Sequence, residues 1–323
     1  MQDDVVFSEE NLPFVSVVIC TFNRKKLLRK CLSSIFALNY PKSRYEIIVV
    51  DGGSNDGTEE LCRQFPNVKL VIEKKSGLAC ARNRGAQLSR GSIIAYTDDD
   101  CIVENQWLRN LVAGFNFSKS VVGVGGPVCP LHQEIIPKNV FVLGPLGFYD
   151  EGKTMKFVPI LVMPSAAFKR EIFRIVQFDE TLGVTKRGNL VLMGEDMDFC
   201  RNITKAGYKL LYLPQAKVYH QVILERLTVR YLLKHAFGNG IITAKYLLKL
   251  KNSRIWAVRI ATSNLLQESL KSFSNRSFIS CYRIVRAMVT LLASSSYLDE
   301  ILVPTQKLTK KPSTTLQAIT GSS

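Results

Sequence analysis

Val15-Ser16-Val17-Val18-Ile19-Cys20-Thr21 is a continuous apolar run rich in β-branched residues, the pattern of a strand covered on both faces. Phe22-Asn23-Arg24 turns the chain, and from Lys26 to Leu38 the apolar period changes. Leu27, Leu28, Cys31, Leu32, Ile35 and Phe36 recur at three- and four-residue spacing, which predicts an amphipathic helix. A second apolar strand, Tyr45 to Val50, stops at Asp51-Gly52-Gly53-Ser54-Asn55-Asp56-Gly57-Thr58, a turn whose Ser, Asn and Asp can cap a helix from Glu59 to Gln64. Val68 to Glu73 reads as a third strand, Leu78 to Leu88 as a helix, and Ile93 to Thr97 as the strand that delivers Asp98-Asp99-Asp100. Such unbroken alternation predicts a doubly wound parallel sheet with covering helices. Ligands of these sheets bind beyond the carboxyl ends of the strands, where Thr21, Asp51, Lys74 and Asp98 all fall.

Trp107-Leu108 lies in a helix after the acidic turn, and Val121 to Pro127 is a glycine-rich strand whose G-x-G-G is not a dinucleotide site. Gly183 to Leu190 reads as a loop able to close over a ligand. Phe199, Cys200, Ile203 and Ala206 form an apolar stripe, which places Glu195 and Asp196 at a helix N-terminus. Leu224 to Lys251 is predicted helical and broken at Gly238-Asn239-Gly240, with Arg226, Arg230 and Lys234 on one face and Leu227, Tyr231, Leu232 and Phe237 toward the other. Two amphipathic segments follow, near Ile255 to Phe273 and Phe278 to Ala293. The chain thus divides into a leader (1–12), an α/β domain (13–222), a basic helical extension (223–303) and a flexible tail (304–323) rich in Thr, Ser and Lys.

A length of 323 residues with 46% apolar content fits a globular protein. The longest uncharged stretch, Ser120 to Gln133, has fourteen residues with three Gly and two Pro, short of the roughly 20 apolar residues a spanning helix needs. The start, MQDDVVFSEE, lacks the basic opening and apolar core of a secretory signal, so a cytoplasmic protein is expected. Eight cysteines show no C-x-x-C pair and no zinc-like spacing, and three histidines argue against a multi-histidine metal site. The net charge of +16 is uneven: from Ile223 onward 15 Lys and Arg face 4 Asp and Glu. That concentration suits a nucleic acid, an anionic membrane surface or simple solubility.

Three carboxylates leaving one strand end repel each other unless a cation sits among them, and hard oxygen ligands suit Mg²⁺ or Mn²⁺, which keep waters and bridge to phosphate. A solvated acidic turn is the plain alternative. Neither a G-x-G-x-x-G after the first strand nor a G-x-x-x-x-G-K-[ST] occurs, so phosphate neutralisation falls to a metal.

Four blocks, VSVVICTFNR (15–24), IIVVDGGSNDGT (47–58), GLACARNRGAQLSRGSIIAYTDDDC (77–101) and GEDMDFCRNITKAGYKLLYLPQAKVYH (194–220), resemble the inverting glycosyltransferases of family 2 in order and spacing. The resemblance covers Val15 to His220. It implies an α/β GT-A fold, a Rossmann-like, mostly parallel sheet, here with a C-terminal helical extension. It implies that Asp51 reads the nucleobase near Thr21 and Arg82, that Asp98 and Asp100 form the D-x-D element with Asp100 on the metal, and that Asp196 beside Glu195 is the catalytic base. Asp99 is counted with the donor site, and His220 with the metal or diphosphate. Met163-Pro164-Ser165-Ala166-Ala167-Phe168-Lys169-Arg170 departs from the family pattern. On the residues alone, Asp51 also suits a cap of its own turn, Arg82 a solvated helix position, Asp196 a helix N-terminal charge and His220 a core position.

The resemblance therefore implies a metal-dependent inverting glycosyltransferase, with Mn²⁺ or Mg²⁺, moving a sugar from a nucleotide-sugar donor, UDP-linked by preference, to a saccharide or lipid-linked acceptor in polysaccharide or glycolipid synthesis. Inversion is a single displacement, needing one base and one device that stabilises the leaving diphosphate. A sugar-1-phosphate nucleotidyltransferase is the enzyme alternative, although its Gly-rich loop is missing after the first strand. A non-catalytic glycan-binding protein with a decayed site is the other. Nucleic acid is not expected, since the basic residues lack interleaved aromatics. The basic face beside apolar helices suggests peripheral contact with anionic lipid at the inner face of the membrane, with a solvated face as the alternative.

Overall fold

Apolar runs that the sequence marks as strands form a sheet whose carboxyl-end rim collects the polar residues. The computed structural model describes residues 12–136, 146–183, 194–251, 260–264 and 278–294. In chain order come β1 (Val15–Thr21), α1 (Lys25–Phe36), β2 (Tyr45–Asp51), α2 (Thr58–Arg63), β3 (Val68–Ile72), α3 (Leu78–Leu88) and β4 (Ile93–Asp98). Then follow β5 (Cys101–Val103), α4 (Trp107–Gly114), β6 (Val121–Gly125), β7 (Val128–Pro130), β8 (Lys156–Val158) and β9 (Ala166–Lys169). The chain continues with α5 (Glu195–Lys205), β10 (Lys209–Tyr212), β11 (Val218–His220), α6 (Val229–Lys251) and α7 (Phe278–Ser294).

The main sheet has eight strands in the order β3-β2-β1-β4-β9-β6-β10-β8. β1 runs parallel to β2 and β4, which sets Thr21 beside Asp51 and Cys20 beside Asp98. One apolar layer packs the Leu28, Cys31, Leu32 and Ile35 face of α1 under β1 and β2, and another packs Phe199, Cys200 and Ile203 of α5 with Phe168, Phe178 and Tyr96. Each such fully buried side chain contributes about 1.5–3 kcal/mol. A wholly parallel sheet is not what forms: β9 enters antiparallel between β4 and β6, and β8 is antiparallel to β10. Neither strand follows a crossover helix, so nothing obliges them to run parallel. Leu12, the last residue of the predicted leader, is buried in the core.

A second sheet, β5-β11-β7, stands past the rim. Because β5 starts directly after the acidic turn and pairs antiparallel with β11, His220 lies opposite Cys101. The Gln221 N–H donates to the Asp100 carbonyl at 2.8 Å.

α6 is continuous through Gly238-Asn239-Gly240, where the sequence predicted a break. A side chain on Gly240 would lie 2.6 Å from the Val289 Cβ and 2.7 Å from the Arg286 carbonyl oxygen of α7, so the glycine serves a close helix crossing. Arg226 is not on a helix face: a 3₁₀ turn, Leu224–Leu227, precedes α6 and directs it inward. Of the segment Ile255 to Phe273, residues 260–264 are described and helical. The loop residues 184–190, leader residues 1–11 and the tail lie outside the described residues. Among the described residues no helix is long and apolar enough to cross a membrane.

Candidate active site

β4 ends where its apolar run meets three aspartates, and each is met by a cation from elsewhere in the chain. The Asp99 carboxylate accepts from the Thr21 hydroxyl at 2.7 Å and from Arg24 Nη1 at 3.0 Å. Asp100 receives Arg24 at 3.1 Å and Arg226 at 3.0 Å on Oδ2, while His220 Nε2 lies 3.2 Å from Oδ1. These pairings divide the acidities. Burial pushes Asp99 up to about 6 against the pull of Arg24. Burial also works on Asp100, but His220, Arg226 and Arg24 prevail and hold it well below the usual carboxylate range.

A second cluster joins β4 to α5. Arg82, buried on α3, donates to Asp196 Oδ1 at 2.5 Å and Glu195 Oε1 at 2.7 Å, and its Nη2 stands 3.4 Å from Asp98. The Phe178 ring lies 5.7 Å from its guanidinium carbon. Asp196 Oδ2 accepts from the Met163 N–H at 3.1 Å. Gly194, with φ +103°, makes the left-handed turn that admits the chain to α5, and Glu195, Asp196 and Asp198 in the first turn oppose the positive helix end. Glu195 is buried, and burial together with Asp196 pushes its carboxyl to about 7 against Arg82. Its Oε2 has no hydrogen-bond partner among the described residues.

The predicted residues therefore gather with one exception of orientation. Thr21, Asp99, Asp100 and His220 with Arg24, and Arg82, Asp98, Glu195 and Asp196, form two ion-pair and hydrogen-bond networks that meet along the backbone of the Asp98-Asp99-Asp100 turn. Asp51 is on the adjacent strand, in register with Thr21, but both its oxygens accept from the Ser54 N–H at 3.1 Å and Oδ1 from the Ser54 hydroxyl at 2.6 Å. The turn-capping alternative for Asp51 is what the structure contains.

The predicted metal set Asp98, Asp100 and His220 is only partly assembled. No group of three or more His, Cys, Asp or Glu side chains able to hold a metal occurs among the described residues. Asp100 and His220 meet, while Arg82 engages Asp98 on the α5 side. Two protein ligands still suit Mg²⁺ or Mn²⁺, which fill the remaining positions with water and phosphate oxygens, and two guanidinium groups already stand where the pair attracts positive charge.

Arg24 and Arg226 are the site residues that periodicity missed. Arg24 has a local cue, its place directly after the β1 end. Arg226 has none, since its helical spacing with Arg230 and Lys234 pointed to a solvent face.

Residues 16–176 match the family model described as Glycosyl transferase family 2. The glycosyltransferase AglE of Haloferax volcanii is 33% identical over 211 residues, 62% of this chain and 64% of its own, so the chain spans a little under two thirds of that relative's length. The glucosyl-dolichyl phosphate glucuronosyltransferase of the same organism is 25% identical over 238 residues, 70% of this chain and 75% of its own. Among solved structures, the mannosyltransferase PcManGT from Pyrobaculum calidifontis, in complex with GDP-Man and Mn²⁺, aligns with a TM-score of 0.60 at 22% identity over 89% of this chain and 90% of its own. That likeness establishes the GT-A fold.

Proposed function

Because the chain belongs to glycosyl transferase family 2, we propose that it transfers a sugar, with inversion, from a nucleotide-sugar to the hydroxyl of a saccharide or lipid-linked acceptor. The observation that carries this reading is Arg82, whose guanidinium ties the Asp98 end of β4 to Glu195 and Asp196 of α5. Donor-side and acceptor-side carboxylates so held stand 2.5–3.4 Å from one guanidinium group, which keeps them close enough for a displacement between them.

In this reading Asp196 takes the proton of the attacking hydroxyl. Arg82 and the Met163 N–H fix its carboxylate in orientation. Buried Glu195, with a free Oε2, orients the acceptor beside it. Asp100 and His220 would hold a divalent cation, Mn²⁺ or Mg²⁺, which supplies charge stabilisation for the departing diphosphate. Asp51 and Thr21, neighbours across β1 and β2, stand at the nucleobase end, with Asp51 retaining lone pairs beyond those used by Ser54. UDP is the carrier we propose, as the partner of a carboxylate that reads an imide N–H. The lipid-linked acceptor draws support from the dolichyl phosphate in the name of one relative. The loop after β1, Phe22-Asn23-Arg24, sends Arg24 to the acidic turn and offers no Gly-rich phosphate cradle, which disfavours a nucleotidyltransferase.

We place the protein at the cytoplasmic face of a membrane, with α6 and α7 as the contact. Val229 and Leu233 of α6 and Met288 and Leu292 of α7 are exposed apolar residues, and Arg230 and Arg286 are exposed beside them in sequence.

The test is nucleoside diphosphate release, UDP or GDP, from a panel of UDP- and GDP-sugars with Mn²⁺. Slow, EDTA-sensitive release from a UDP-sugar is expected. Release from none, under conditions where the folded protein binds the nucleotide, would remove the transferase reading; release from GDP-sugars alone would remove the UDP preference.

A further inference from the structure

Asp100 is almost sealed from water, its side chain 3% exposed, and an ionised carboxylate there needs positive partners. It has two guanidinium groups, and they are not equivalent. Arg24 immediately precedes α1 and is shared with Asp99 at 3.0 Å, so it keeps a partner if it leaves Asp100. Arg226 contacts Asp100 Oδ2 at 3.0 Å through Nη2 and His220 Nε2 at 3.1 Å through Nη1. One guanidinium thus covers an oxygen and a nitrogen that a metal on this pair would use. An imidazole nitrogen either donates to Asp100 or accepts from Arg226, not both. In the form that accepts, the Nε2 lone pair is the one a divalent cation takes. A divalent ion and Arg226 cannot both occupy that space, since their charges repel at contact distance.

Arg226 is also tied to the C-terminal helices. It lies in the 3₁₀ turn Leu224–Leu227 that leads into α6, and Leu227 packs against the buried cluster that contains Leu232 and Ala236 of α6, as does Val285 of α7. His220 and Gln221 are fixed to the acidic turn by strand pairing and by the Gln221 N–H bond to Asp100. The segment between Gln221 and Val229 is therefore a short link with one end on the acidic site and the other in the helices.

The geometry points to Arg226 as the resident counter-ion of the Asp100–His220 pair, displaced when a divalent cation binds, so that metal loading is felt by the link into α6 and α7. This rests on the reading that the pair takes a metal. The experiment is calorimetric titration of the full-length protein with Mn²⁺ alone, without nucleotide, for wild type, Arg226→Gln, Arg226→Lys and Asp100→Asn, with amide hydrogen exchange over residues 222–236.

Loss of one charge-assisted contact to a carboxylate makes Arg226→Gln bind Mn²⁺ about tenfold more tightly than wild type. Arg226→Lys, which keeps the charge and guards against a folding failure, tightens binding by a smaller factor because its single ammonium cannot reach both partners in a fork. Mn²⁺ raises amide exchange at 222–228 in wild type and leaves it unchanged in Arg226→Gln. Wild-type binding that Asp100→Asn abolishes, with no gain in either Arg226 variant, overturns the counter-ion role and leaves the metal reading standing. Absence of Mn²⁺ binding in all four proteins overturns both.

Discussion

Both oxygens of Asp196 are engaged, Oδ1 by Arg82 and Oδ2 by the Met163 N–H, yet a carboxylate offers about four lone-pair directions, so room for a proton remains. Asp196→Asn keeps the shape and removes the basicity. Turnover is expected to fall by about 10²–10⁴ while calorimetry shows donor binding unchanged; full turnover would refute the base assignment. Glu195 gives a second prediction, on stability. Its folded pKa, raised to about 7, lies above the unfolded value, so its contribution is complete below the unfolded pKa and is lost as pH rises through 7. Thermal melts of wild type should therefore drop between pH 5 and pH 8 relative to Glu195→Gln, which keeps an oxygen for Arg82 and does not titrate; parallel curves would exclude the effect. These two residues were legible through the family resemblance, since a helix start after a glycine by itself suits a capping charge equally well. Arg24 and Arg226 meet Asp100 across 76 and 126 residues of chain, and a contact of that range leaves no periodic trace.

Elements whose pairing partners are announced by a local βαβ alternation, β1 to β4, were readable from the apolar period. β9 was not: four residues, Ala166–Lys169, carry too little pattern to say that they run antiparallel between β4 and β6. The same gap explains α6. Gly238-Asn239-Gly240 has poor helix propensity and reads as a break, but Gly240 is where α6 meets the Val289 and Arg286 positions of α7, and close packing there outweighs the propensity. Gly240→Ala separates the two effects. Propensity alone would stabilise by about 1 kcal/mol, whereas a Cβ forced against the Arg286 carbonyl costs about 1–3 kcal/mol by overpacking. A net loss is expected, seen as a lower midpoint in urea unfolding followed by helical circular dichroism. A gain in stability would mean that α7 moves away freely, and that the glycine is not there for the crossing.

At the scale of the whole molecule, charge and apolar exposure coincide. The chain is +16, and +11 of that lies beyond Val222, where α6 and α7 also present Val229, Leu233, Met288 and Leu292 to solvent. Such a surface is attracted to anionic lipid by its charge and held by the apolar side chains once there. The two contributions respond differently to salt, since the screening length shrinks from about 10 Å at 0.1 M to about 3 Å at 1 M while apolar contact is little affected. The protein is therefore expected to float with vesicles rich in anionic lipid at low ionic strength, to bind neutral vesicles weakly, and to lose most of its binding in high salt. Leu233→Ser with Leu292→Ser should weaken binding at low salt, and Arg230→Glu with Arg286→Glu should weaken it more and flatten the salt dependence. If the wild-type protein stays with the soluble fraction at low salt, the excess charge of the C-terminal third serves solubility and the acceptor reaches the Asp196 side of the rim without help from α6 and α7.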